Sequence, residues 1–143
     1  MCNWQDKVVD KGKTKTIIRK IPEQVFSDAC RIIHQMAQER RVICYSDLEY
    51  RLKNEGHGIV SRLIIGDIVG EVSIQVSQVT NPSIYPSAIV VHKNAKTVGE
   101  GFWGIDTGTN PPSKYQRLSQ KQKENLLQQY RNDVFNRLWN CNC

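Results

Sequence analysis

The chain predicts an α+β fold that is mainly helical: a winged helix-turn-helix with a β-hairpin wing and a long C-terminal helix. Apolar residues recur at three- and four-residue spacing in three separate segments, the period of helices that bury one face. A β-branched run, Ala88-Ile89-Val90-Val91, precedes the turn-like Lys93-Asn94-Ala95-Lys96, as the first arm of a hairpin would. The resulting order of helix, short strand, short helix, turn, helix and hairpin is that of a winged helix, whose third helix enters a groove and whose hairpin is the wing. At 143 residues the chain fits one domain. It divides into a basic N-terminal tail or edge strand over 1–20, a winged-helix domain over 21–118 and an amphipathic helix over 119–143 packed on that domain.

Residues 1–20 are lysine-rich, with Val8-Val9 and Ile17-Ile18 as their apolar pattern. Pro22 stands where helices begin, because its missing N–H is not needed there. Val25, Phe26, Ala29, Ile32, Ile33 and Met36 then form one stripe on a helix of about 22–39, which Arg40-Arg41 end. Val42-Ile43-Cys44-Tyr45 reads as extended. Ser46 with Glu49 three residues later is a capping-box pattern, opening a short helix from Asp47 with Leu48 and Leu52 inward. Asn54 to Gly58 is a turn. A third helix from near Ile59 carries Val60, Leu63, Ile64, Ile68 and Val72, and Gly66 and Gly70 would admit a close backbone neighbour. The hairpin pairs 88–91 with 99–105, a loop fills 106–118, and the last helix over 119–139 starts at Ser119. Its apolar side holds Leu126, Leu127, Tyr130, Val134, Phe135, Leu138 and Trp139.

Twenty Lys and Arg against fourteen Asp and Glu leave a formal charge of +6, which favours a polyanionic partner. Residues 1–20 carry six basic and two acidic groups, whereas 21–80 are net acidic. Mean hydropathy is −0.50, and no apolar run approaches the ~18 residues of a membrane span, so a soluble protein is expected. Five cysteines include no Cys-x-x-Cys pair, which points to neither a disulfide framework nor a zinc ribbon. Cys30 and Cys44 read as buried thiols, Cys141 and Cys143 as a frayed end, and the cytoplasm as the compartment. No metal or cofactor motif is present in this reading.

The stretch from Val42 to Ile105 resembles the C-terminal domain of DNA alkylguanine alkyltransferases and the catalytically silent alkyltransferase-like proteins. Ile43-Cys44-Tyr45-Ser46-Asp47-Leu48 corresponds to the family's Thr/Ser-Tyr-Gly-Glu-Leu-Ala segment. Ser61-Arg62-Leu63-Ile64-Ile65-Gly66 corresponds to its Ala-Arg-Ala-Val-Gly pattern, one residue longer, and Asn81-Pro82 follows at greater distance than in the family. Tyr85-Pro86-Ser87-Ala88-Ile89-Val90-Val91 and Gly99-Glu100-Gly101-Phe102 match Pro-Cys-His-Arg-Val-Val and Gly-Gly-Tyr in order. The segment from Ser87 to Trp103 also resembles poorly characterised small phage and bacterial proteins. Alkyl transfer needs a thiolate activated by a histidine, and here Ser87 and Ala88 occupy those places. The resemblance therefore implies DNA binding without alkyl transfer. It sets Tyr45 near a phosphate, makes Arg62 the side chain that probes a base, and walls a base pocket with Tyr85, Pro86, Ser87 and the strand holding Glu100 and Trp103.

His57 in the turn and Lys93 and Lys96 at the wing tip are further phosphate contacts on this reading. Each candidate has a plain structural counterpart: Tyr45 as packing, Arg62 as a solvated helix charge, His57 and the lysines as turn residues. Duplex DNA is the favoured partner. A second reading is a small interaction or inhibitor protein, phage- or defence-related, that meets a protein partner or a second copy of itself through the C-terminal helix. A third is a nuclease or hydrolase using His92 and Glu100, which no metal-ligand spacing supports.

Overall fold

The computed structural model describes residues 2–11, 17–93, 98, 102 and 118–139. Strand β1 (Lys7–Lys11) pairs antiparallel with β2 (Ile17–Ile21). Helix α1 (Glu23–Gln38) follows, then β3 (Ile43–Cys44), α2 (Tyr45–Asn54), α3 (Ile65–Val79), a 3-10 turn (Pro86–Ile89), β4 (Val90–Val91) and α4 (Gln120–Asn136). The fold is α+β with four helices and a small hairpin among the described residues. The hairpin lies within the stretch read as a tail or edge strand, where Lys7–Lys11 and Ile17–Ile21 form a two-stranded ribbon.

α1 forms where the stripe predicts, with Val25, Phe26, Ala29, Cys30, Ile32, Ile33, Met36 and Ala37 buried. Its first turn is capped from outside: the Asp6 carboxylate accepts from the Glu23 N–H at 2.8 Å. Its end is a Schellman closure, in which the Arg40 N–H reaches Ala37 O and the Arg41 N–H reaches Met36 O. Arg40 takes the left-handed position at φ 55°, where glycine is usual. Its guanidinium donates to Asn136 Oδ1 at 2.6 Å and lies 5.7 Å from the centre of the Phe135 ring. A glycine there could not join α1 to α4.

Three elements differ from the sequence reading. α2 starts at Tyr45, and its N-cap is Cys44 with no side-chain cap, so Ser46 stands inside the first turn and cannot close a capping box. α3 starts at Ile65, not Ile59. Val60 and Ile64 are buried all the same, so the four-residue spacing runs on through a non-helical segment. The apolar run 86–89 is a buried 3-10 turn, and only Val90–Val91 are strand. That strand pairs parallel with β3, Ile43 beside Val90 and Cys44 beside Val91. The expected second arm at 99–105 lies outside the described residues except for Phe102.

α4 is capped as Ser119 suggests, by a capping box with Gln122. Its Val134 is buried, and Leu126, Leu127, Tyr130 and Phe135 pack partly buried against the core. The helix ends at Asn136, which turns Leu138 fully outward and Trp139 inward, so Leu138 leaves the predicted stripe. The Trp139 indole N–H donates to Val134 O at 3.0 Å, and the ring meets His34 edge-on at 4.8 Å. Gly66 and Gly70 admit no close neighbour: a Cβ at either would meet nothing within 4 Å.

Cys2 and Cys30 are disulfide-bonded, which corrects the reading of Cys30 as a thiol; Cys44 is free and half-buried. Cys141 and Cys143 lie outside the described residues. Beside Cys2, Trp4 stacks on Phe26 with ring centres 6.4 Å apart. Among the described residues no helix is long and apolar enough to cross a membrane.

Candidate nucleic-acid interface

Residues 55–64 join α2 to α3 and carry two of the predicted contacts. Gly56, at φ 96°, ends α2 in a second Schellman closure, with its N–H on Lys53 O and the His57 N–H on Leu52 O. This fixes the His57 ring against α1, where Asp28 accepts from Nε2 at 2.6 Å. Arg31 bonds Glu55 and lies 3.7 Å from Asp28. His57 is therefore engaged in a link between α1 and the turn.

Asp28, Glu55 and His57 also offer metal-ligating atoms within 4.8 Å of one another. The Arg31 guanidinium already occupies the cation's place between the two carboxylates. The network is a salt-linked brace. Burial raises the Asp28 pKa, but hydrogen bonds from His57 and Gln24 and the charges of His57 and Arg31 outweigh it, so the carboxyl titrates below its ordinary value.

Beyond His57 the chain makes a tight tip. The Val60 N–H reaches His57 O, and the Ile64 and Ile65 N–H groups both reach Ser61 O. Val60 and Ile64 are fully buried on either side, while Arg62 is exposed and Leu63 is 52% exposed between them. Arg62 thus stands before α3 and not on it. α3 itself is a core helix: Ile65, Ile68, Val69, Val72, Ser73 and Val76 are buried, and 65–79 holds no Lys or Arg. The exposed Arg62 and Leu63 sit on the tip at its start and not on the helix read as the third of the domain.

Tyr45 opens α2 half-buried, its ring 5.1 Å from the exposed His92 ring just past β4. Exposed Lys93 follows, and Lys96 lies outside the described residues. Ser87 is 3% exposed. Its hydroxyl accepts from Ser73 Oγ at 2.6 Å, and its N–H donates to the same Ser73 oxygen at 2.7 Å. A hydroxyl so enclosed is neither a nucleophile for an outside substrate nor a surface contact. Pro86 is buried, and Tyr85 meets the Tyr130 ring edge-on at 5.2 Å, as Phe102 does at 5.8 Å. The Arg131 Nε donates to Ala88 O at 2.7 Å, and burial lowers that guanidinium's pKa. The pocket inferred from Tyr85, Pro86 and Ser87 is thus packed by α4, and Glu100 and Trp103 lie outside the described residues.

Sequence reasoning missed the Asp28–His57 pair, whose members are 29 residues apart, and the Ser73–Ser87 pair. Neither has a local signature. Comparison with protein-family models, with curated proteins and with solved structures finds no match to this chain.

Proposed function

We propose that the protein is a non-catalytic binder of duplex nucleic acid, with α2, the 55–64 connection and α3 as its helix-turn-helix. The observation that carries this reading is the tip. Two buried anchors and three backbone hydrogen bonds hold an exposed Arg62 and Leu63 at the start of α3. An arginine on a rigid support suits base or phosphate contact, because its planar guanidinium stacks and donates several hydrogen bonds. Exposed Arg51 and Lys93 add positive charge, and the resemblance to alkyltransferase-like proteins places Arg62 in the same role. Since Tyr85, Pro86 and Ser87 are packed, contact is made from outside the duplex stack with no extruded base.

Fluorescence anisotropy with a labelled duplex at two salt concentrations tests this. Affinity should fall steeply with salt, and Arg62→Ala should weaken binding by about tenfold, the scale of one specific arginine contact. Absence of binding at low salt overturns the reading.

A further inference from the structure

Half of the chain's formal charge of +6 belongs to one structural unit. The strands Lys7–Lys11 and Ile17–Ile21 hold four Lys or Arg and one Asp. They form the β1–β2 ribbon, five rungs from Lys7 beside Ile21 to Lys11 beside Ile17, which is a sheet of its own. Directly opposed residues of an antiparallel pair share a face. One face therefore holds Lys7, Val9, Arg19 and Ile21, and Val9 and Ile21 are buried there as anchors while Lys7 and Arg19 are exposed. On the other face Val8 is 62% exposed opposite an exposed Lys20.

We propose that this ribbon is a second contact arm for the same duplex, neutralising phosphates beside the groove that receives the tip. The proposal rests on the nucleic-acid reading above and adds to it the element that supplies half of the formal charge. A strand of five residues spans about 17 Å, and a two-stranded ribbon is one of the two elements the major groove admits. The ribbon is also tied to the helix that the tip begins. Lys7 pairs with Glu71 at 2.9 Å, and the Asn3 N–H donates to Gln75 Oε1 at 3.2 Å. Glu71 is six residues into α3 from Ile65, about 9 Å along its axis. Arm base and tip thus lie well within one turn of a duplex, about 34 Å. Of the ion pairs already made, Lys20 with Asp6 at 3.3 Å is solvent-exposed and exchanges readily for phosphate, and Lys7 presents an exposed side chain beside a half-buried Glu71. Protection of an open sheet edge calls for one or two lysines, not four basic residues against one acidic in ten.

The test compares three full-length proteins on one labelled duplex across a salt series: wild type, a triple variant Lys11→Ser, Arg19→Ser, Lys20→Ser, and a charge-keeping triple Lys11→Arg, Arg19→Lys, Lys20→Arg. Arg19 and Lys20 are exposed, and circular dichroism checks each fold. The serine triple should bind at least about tenfold more weakly at low salt. Its plot of log affinity against log salt should be shallower by about 2 to 3, near 0.9 per lost phosphate contact. The charge-keeping triple should match wild type. An unchanged slope in the serine triple, with Arg62→Ala still weakening binding, overturns the arm and leaves the tip standing. A lost slope with Arg62→Ala neutral supports the arm and removes the tip. Equal competition by polyglutamate of matched charge, or no duplex binding by wild type, overturns the arm.

Discussion

Asp28 ties α1 to the turn after α2 through one carboxylate that receives His57, Gln24 and Arg31. Its pKa is depressed, so the folded state binds that proton less readily than the unfolded chain. The stability this contributes is fully present above the ordinary carboxylate value near 4 and is lost as pH falls through the lower folded value. Asp28→Asn should therefore be less stable than wild type at neutral pH by on the order of 1 to 2 kcal/mol, the scale of hydrogen bonds to a charged group. Thermal melts of both proteins across pH should converge as the medium drops below about pH 4. A gap that stays constant down to pH 2 would show that the charge plays no part. Nothing local announced this pair: a histidine after glycine in a turn reads as solvated, and only the closure at Gly56 aims it at α1.

Helices differ in how much of their sequence serves the helix itself. α1 was legible because every third or fourth residue is apolar and buried. α3 was legible in its body and wrong at its start, because Val60 and Ile64 keep the burial spacing of a helix while the backbone makes a tip. Burial periodicity reports which residues face the core, and a tip anchored at two points four residues apart mimics a helical turn. The strand reading of 88–91 held at Val90–Val91 and missed at Ala88 and Ile89 for a related reason. All four residues are buried, so no alternation remained to distinguish extended from 3-10 backbone.

α3 also carries two glycines that packing does not require. Ala at 66 or 70 meets no atom within 4 Å of its Cβ, and alanine narrows the unfolded ensemble and favours helix. Gly66→Ala and Gly70→Ala should each raise stability by about 0.5 to 1 kcal/mol in urea titrations. A loss of stability in either would mean that another surface needs the bare backbone.

Across the whole molecule, three of the named candidates draw together at the end of β4: Tyr45 lies against His92, which precedes Lys93, and β3 joins β4 at the start of α2. Arg62 stands apart on its tip, and Ser87 is inside the core. The positive charge of residues 1–20 was legible in the composition, and Lys7, Lys11, Arg19 and Lys20 of it lie in the β1–β2 ribbon. Its form was illegible, because pairing of Lys7–Lys11 with Ile17–Ile21 depends on a register that the short apolar pairs Val8-Val9 and Ile17-Ile18 do not specify. The disulfide-bonded state of Cys2 and of Cys30 was equally hidden, as the cysteines of the sequence fall in no familiar spacing.

The two rungs between β3 and β4 join residues more than forty positions apart, with α2, α3 and the 3-10 turn between them. Such long-range pairing bears a large loop-closure cost and gains little until the intervening helices are in place. It belongs late on the folding pathway. Ile43→Val, a loss of roughly 1 kcal/mol, should therefore speed unfolding and leave the refolding rate nearly unchanged, with a φ-value below about 0.3. A chevron plot that placed the loss in the refolding limb instead would make this smallest of sheets the nucleus of the fold.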